Sequence, residues 1–165
     1  MVTTNAIKAL REQTGAGIMD CKKALEQVDG DVERAQEILR EQGIASAAKK
    51  ASRDTEEGIV ESYIHGGGRV GALVELNCET DFVARTDDFK ELAHEIAMQV
   101  AAMSPKYVSE DDVPKEENVS EDEILISQSF IRDPALTIND LIKEAIGKLG
   151  ENIQIRRIAR FSLGE

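Results

Sequence analysis

The chain has 165 residues, a formal net charge of −12 and a hydrophobic fraction of 41 %. That length gives one ordinary domain, or a very small one joined to a modest one, and the apolar content supports a packed core and excludes wholesale disorder. Residues 1–54 carry nine basic and nine acidic side chains while residues 55–165 carry 11 and 23, so the excess of negative charge sits in the second part and repels phosphate backbones and anionic membranes, arguing against direct nucleic-acid or membrane binding.

Residues 4–42 read as three short helices. Ile7 and Leu10 share a face of the first, which stops at Thr14-Gly15-Ala16-Gly17, where two glycines permit a tight reversal. The second covers about 18–28, with Ile18, Cys21, Leu25 and Val28 on one stripe. Asp31 is an N-cap for the third, in which Val32, Ala35, Ile38 and Leu39 recur at helical spacing and Gly43 supplies the stop. Three helices in this span form a minimal bundle, a module of residues 1–43 that binds something. The Ala-rich, charged residues 44–57 form a helical or flexible connector to a second unit over 58–165.

The period then changes. Gly58–His65 and Arg69–Asn77 are two strands of a hairpin turned at Gly66-Gly67-Gly68. Thr86 caps a long helix in which Phe89, Leu92, Ala93, Ile96, Ala97, Val100 and Met103 fit the 3.6-residue period, and Ser104-Pro105 stops it. Tyr107-Val108 is one more short strand. Residues 109–123 hold eight acidic side chains, one lysine and one proline, the composition of an exposed linker. Ile124–Ile131 is a short apolar stretch turned by Asp133-Pro134. Thr137 caps a last helix ended by Gly150, and residues 152–163 alternate as a final strand, with Ile153, Ile155, Arg157, Ala159 and Phe161 on one face, Gln154, Arg156 and Arg160 on the other, and Ile158 out of phase. This order gives an α+β fold: a three-helix N-terminal module, then a small antiparallel β-sheet core with helices packed on one face.

Most residues that invite a catalytic reading do not sustain it. Gly66–Gly68 lacks the Gly-Lys-Ser/Thr ending of a phosphate loop and leads into a strand. Cys21 and Cys78 form no metal-ligand spacing and suit a reducing, cytoplasmic setting, in keeping with an N-terminus that lacks the pattern of a signal peptide. His65 and His94 stand in no metal-binding motif, so no metal and no cofactor is expected. One segment is different: Asn77–Thr86, the connection between the second strand and the long helix. Here Phe82, one of only four phenylalanines in a chain without tryptophan, is flanked by polar residues, and Thr80 or Asp81 can cap a single helical turn. Phe82 either tucks beneath the hairpin as core or is presented to fill a partner's pocket.

Five strings carry a resemblance that decides between these. TGAGIMDCKKAL (14–25), GDVERA (30–35), AAKKA (47–51), LVELNCETDFVA (73–84) and GENIQIRRIARFSLGE (150–165), in this order, resemble the bacterial elongation factor Ts family, in a short form. The resemblance implies an N-terminal module similar to ubiquitin-associated domains, an α+β core, and guanine-nucleotide exchange on elongation factor Tu. It implies that Thr80, Asp81, Phe82 and Val83 form the segment that dislodges Mg²⁺ from that GTPase, with Phe82 as a wedge between two of its helices and Asp81 fixing the approach. It matches Ile18 and Met19 to a paired apolar grip, usually two methionines in the family, and puts Arg11, Thr14 and Lys22 at its rim. The stretch before Ile124 is shorter than even the family's short form, so the contact made elsewhere by a second core half is absent or comes from a second copy. The family's short members pair, which implies a homodimer. The reading from another class is a binding adaptor that uses the three-helix module without exchange. A thiol enzyme using Cys21 or Cys78 is the weakest rival.

Overall fold

A computed structural model describes residues 2–165. The first three helices are α1 (Thr4–Thr14), α2 (Ile18–Gln27) and α3 (Val32–Lys50). Thr3 caps α1 by accepting from the Ala6 amide, and Gly15, at φ 67°, ends it in the left-handed region. Asp31 caps α3 as expected, accepting from the Arg34 amide. Leu10, Cys21, Ala24, Leu25 and Ala35 make a small core of their own, ringed by Ile7, Val28, Val32, Ile38 and Leu39. Ile18 falls outside it: the helix begins at this residue, and Cys21, Ala24 and Leu25 supply the inward face.

Gly43 does not end the third helix, contrary to the sequence expectation. The helix continues through it for seven residues to Lys50, carried by the helix-forming run Ala45–Lys50 and by burial of Ala47 in the main core. Gly43 serves instead as a crossing point. An added Cβ at Gly147 of the last helix would lie 2.9 Å from the Gly43 Cα, so two backbones touch where neither has a side chain.

The second unit is a three-stranded antiparallel sheet in the order β1 (Glu57–His65), β2 (Val70–Cys78) and β5 (Ile153–Ser162). The β1–β2 hairpin turns at Gly66–Gly68, all three at positive φ, and pairs His65 with Val70 through Glu57 with Cys78. One face is covered by α5 (Asp87–Met103) and α6 (Ile138–Leu149), burying Val74, Leu76, Phe89, Ile96, Val100, Ile138 and Ile153 among others. Thr86 and Thr137 cap these helices, and Ser104 and Gly150 close them in left-handed conformations, as the sequence indicates.

The final strand departs from simple alternation. Glu75 pairs with Arg157 but Leu76 pairs with Ile155, so Arg156 is an extra residue and the strand bulges there. Beyond the bulge the faces exchange. Ile158 packs on the core and the Arg160 guanidinium donates to the Ala101 carbonyl of α5, whereas Arg157 and Phe161 point to the uncovered face, Phe161 being 77 % exposed. The expectation that Phe161 faces inward with Ile153 is thus corrected, and Ile158, out of phase in the sequence, marks the bulge.

The segment between α5 and α6 is irregular. Tyr107 makes only a single parallel bridge, to Ile124, in place of the expected strand. Two acidic 3₁₀ turns follow, Glu110–Asp112 and Glu121–Glu123, each with a serine capping box. The ribbon of β3 (Ser129–Phe130) and β4 (Asp133–Thr137) turns at residues 131–132 and not at Asp133-Pro134. Pro134 lies within β4, where a two-stranded ribbon is all edge and a missing amide costs no ladder bond. Gln99 of α5, fully buried, pins this ribbon: it donates to Gln128 Oε1 and to the Ser129 carbonyl at 3.1 Å, and accepts from the Ile131 amide at 3.0 Å.

Candidate partner-binding surface

The turn after β2 is built from its caps. Thr80, extended at φ −128° and ψ 153°, is the N-cap of a single helical turn, α4 (Asp81–Ala84), and its hydroxyl accepts from the Val83 amide at 3.4 Å. Thr86 closes the far side, donating from its hydroxyl to the Val83 carbonyl at 2.7 Å before capping α5. Val83 and Ala84 are buried, and helical geometry then forces Asp81 and Phe82 outward. Phe82 is 77 % exposed, so it is not core. Asp81 pairs with Arg85 at 2.9 Å along the same exposed side.

Neighbours tie the entry of this turn down. The Cys78 thiol donates to the Thr80 carbonyl at 3.2 Å; burial first, and the Glu151 carboxylate second, push its pKa up to about 11, so it stays a protonated donor at neutral pH. The Glu151 carboxylate accepts from the Glu79 amide at 3.1 Å, the Thr80 amide at 3.0 Å and the Thr80 hydroxyl at 2.6 Å. In return Glu79 accepts from the Asn152 amide at 2.7 Å and from Arg53 at 3.4 Å. Glu151 and Asn152 carry no individual signal in the sequence, and Cys78 stands out there only as a thiol, not as a support of this turn. They stand in strings that carry the resemblance, but their reach is set by long-range pairing.

On the N-terminal module, Ile18 and Met19 stand at the first turn of α2, 55 % and 60 % exposed. Arg11 and Lys22 are exposed, Lys22 within 3.7 Å of Glu26. Thr14 is half-buried, and its hydroxyl is engaged internally, donating to the Leu10 carbonyl at 2.7 Å and accepting from the Ala16 amide at 3.3 Å. The module and the core meet near these residues. Lys148 of α6 lies against Gly15 and pairs with Asp88 of α5 at 3.0 Å, and Arg11, Gly15, Asp88 and Lys148 line one small cleft. Arg40 of α3 lies 3.7 Å from Asp140 and 3.8 Å from Glu144. The end of α1 and the start of α5, just past the Phe82 turn, are therefore neighbours.

Elsewhere the titratable residues are dispersed. His94 lies 3.1 Å from Glu61, His65 3.3 Å from the Tyr63 hydroxyl, and no group of three or more His, Cys, Asp or Glu able to hold a metal occurs among the described residues. Among the same residues no helix is long and apolar enough to cross a membrane.

Large apolar side chains thus stand outward at the first turn of α2, on a small helical module, and on the capped Phe82 turn of an α+β core braced against it. The family model for "Elongation factor TS" matches residues 3–133. The chain is 51 % identical to "Elongation factor Ts" of Carboxydothermus hydrogenoformans over 196 positions, covering 100 % of this chain and 90 % of that one. Identity to the protein of that name from Caldanaerobacter subterraneus subsp. tengcongensis is 50 %, covering 100 % of this chain and 98 % of that one, and to that from Coprothermobacter proteolyticus 46 %, covering 99 % of each. The chain belongs to the elongation factor Ts family. The first two alignments run over 196 positions against 165 residues, so those relatives carry 31 positions with no counterpart here.

Proposed function

We propose that this chain is a guanine-nucleotide exchange factor for elongation factor Tu and performs no covalent chemistry of its own. The observation that carries the reading is Phe82, held 77 % exposed on a turn capped from both sides. Exchange follows from linkage: a factor that binds the empty GTPase more tightly than the loaded one weakens nucleotide binding by the same ratio. A thousandfold effect needs about 4 kcal/mol of differential interaction. Burying one Phe supplies roughly 1.5–3 kcal/mol, so Phe82 needs help. Ile18 and Met19, with Arg11, Thr14 and Lys22 around them, anchor the GTPase; in the segment Thr80–Val83, Phe82 is the wedge and Asp81 stands beside it, while Thr80 caps the turn and the buried Val83 holds it from within; the displaced GTPase helices lose their hold on Mg²⁺ and the phosphates. The test is release of a fluorescent GDP analogue from elongation factor Tu with this protein and with Phe82→Ala. Acceleration lost in the variant supports the wedge. Binding without acceleration in the unmodified chain would leave only an adaptor.

The uncovered sheet face supports the pairing of two copies. Val60, Ile64, Leu73, Phe161 and Leu163 are exposed large apolar residues. Ile64, Gly71 and Phe161 stand in one row across the three strands, and Ser62, Leu73 and Ala159 in the next. The acidic residue in the following row, Glu75, is paired with Arg157 at 2.7 Å and Arg156 at 3.8 Å. In a chain of net charge −12 this face escapes the general repulsion, so a second copy, sheet on sheet, is its occupant. Phe161→Glu puts like charges into that interface, and sedimentation should report a monomer; an unmodified chain that is monomeric at tens of micromolar rejects the pairing.

A further inference from the structure

We propose that Glu151 is a positioning residue for exchange, setting the presentation of Phe82 through Thr80. The proposal rests on the reading of Phe82 as the wedge. Three donors converge on this one carboxylate: the amides of Glu79 and Thr80 on Oε2, and the Thr80 hydroxyl on Oε1 at 2.6 Å. All three lie at the entry to the turn, after the last ladder pair of β2, Cys78 with Ile153. The hydroxyl has a single proton. Donating it to Glu151 leaves its lone pairs for the Val83 amide, the bond that caps the turn. Glu151 thus fixes the rotor on which the cap depends, and the cap fixes which side of the turn faces out.

The carboxylate has a firm base. Gly150, at φ 79°, ends α6, and the next residues leave in a tight loop. Asn152, 2 % exposed, gives its amide to Glu79 and its side-chain N–H groups to the carbonyls of Arg53 at 2.8 Å and Ala51 at 3.4 Å. Residues 51–53 are where the chain leaves α3. The loop 150–152 therefore holds the Phe82 turn with one side chain and the exit of the N-terminal module with the next. Neither side chain is needed to present Ile18 or Met19, which lie on α2, so losing Glu151 separates positioning from grip.

The experiment measures GDP release from elongation factor Tu against concentration of the full chain, for the unmodified protein, Glu151→Gln, Glu151→Ala and Phe82→Ala. Amide hydrogen exchange at Val83 and thermal unfolding are followed on each. In Glu151→Ala the plateau rate is expected to fall on the order of tenfold, as for loss of a charge-assisted hydrogen bond. The half-saturating concentration should stay within about twofold, since the grip is intact. Val83 amide exchange should quicken. Glu151→Gln keeps the shape but turns an N–H₂ toward one set of donors, and should show the same split with a smaller loss; it also serves if the alanine variant fails to fold. Full plateau rates in both Glu151 variants, with Phe82→Ala impaired, overturn the positioning role and leave the wedge standing. A shift confined to the half-saturating concentration also overturns it. Full activity of Phe82→Ala overturns the wedge reading itself.

Discussion

Replacing Gly147 by alanine should destabilise the protein, and the same replacement at Gly43 should stabilise it, although both lie in helices and face one another. At Gly147 the new Cβ would sit 2.9 Å from the Gly43 Cα and 3.8 Å from its carbonyl carbon. Those are backbone atoms of α3 with no rotamer to yield, so the helices must separate. Overpacking of this kind costs about 1–3 kcal/mol, against which alanine gains roughly 0.5–1 kcal/mol of helix propensity over glycine. At Gly43 the new Cβ would find only the Lys143 carbonyl oxygen at 3.9 Å and the Gly147 Cα at 4.0 Å, ordinary contact distances. The propensity gain then stands alone. The variants should differ by about 2 kcal/mol, with melting temperatures on opposite sides of the parent and several degrees apart. Thermal and urea unfolding of the three proteins measures this. Stabilisation by Gly147→Ala, or equal shifts in one direction, would refute the close backbone crossing and with it the continuous α3.

Three further outcomes follow from the geometry. Asp140 accepts from the Thr137 amide and hydroxyl at 2.9 and 3.0 Å; the amide bond is the largest of the effects that hold its carboxyl below the usual 3.8, with Arg40 adding to it. A lowered folded pKa means that its stabilisation is complete above the unfolded value and fades as pH falls through the folded one. Asp140→Asn should therefore lose about 1 kcal/mol at neutral pH and converge on the parent in acid, as followed by urea unfolding across pH. Both cysteines are buried, so neither Cys21 nor Cys78 should react with a thiol reagent at pH 8 until the chain is unfolded; rapid labelling of native protein would contradict the packing. Phe82→Ala, changing a side chain already 77 % exposed, should leave the melting temperature within about 1–2 °C of the parent.

Much of the fold was legible because caps and periodicity agree. Thr86, Thr137 and Asp31 announce their helices, and Gly66–Gly68 announces the hairpin. The failures lie where tertiary pairing overrode a local signal or left none. Gly43 looks like a stop, yet it is the place where two helices touch. Pro134 looks like a turn but sits in an edge ribbon. Arg156 gives no local sign of a bulge; only Ile158, an apolar residue on the wrong beat, betrays that the faces of the last strand exchange. Within the candidate site, Thr80 was legible as a cap and Phe82 as an aromatic needing explanation. Composition left its direction open, and the buried pair Val83 and Ala84 settles it. The carboxylate of Glu151 was invisible, because it arrives from 71 residues further along the chain.

Because α3 runs unbroken from the helical module into the main core, and Asn152 fastens the chain where that helix ends, the module is splinted to the sheet and not strung from it. For a partner that touches both the α2 tip and the Phe82 turn, engagement of one leaves the other already at its working distance. The orientational entropy of the pair is then lost during folding of this chain and not during each encounter.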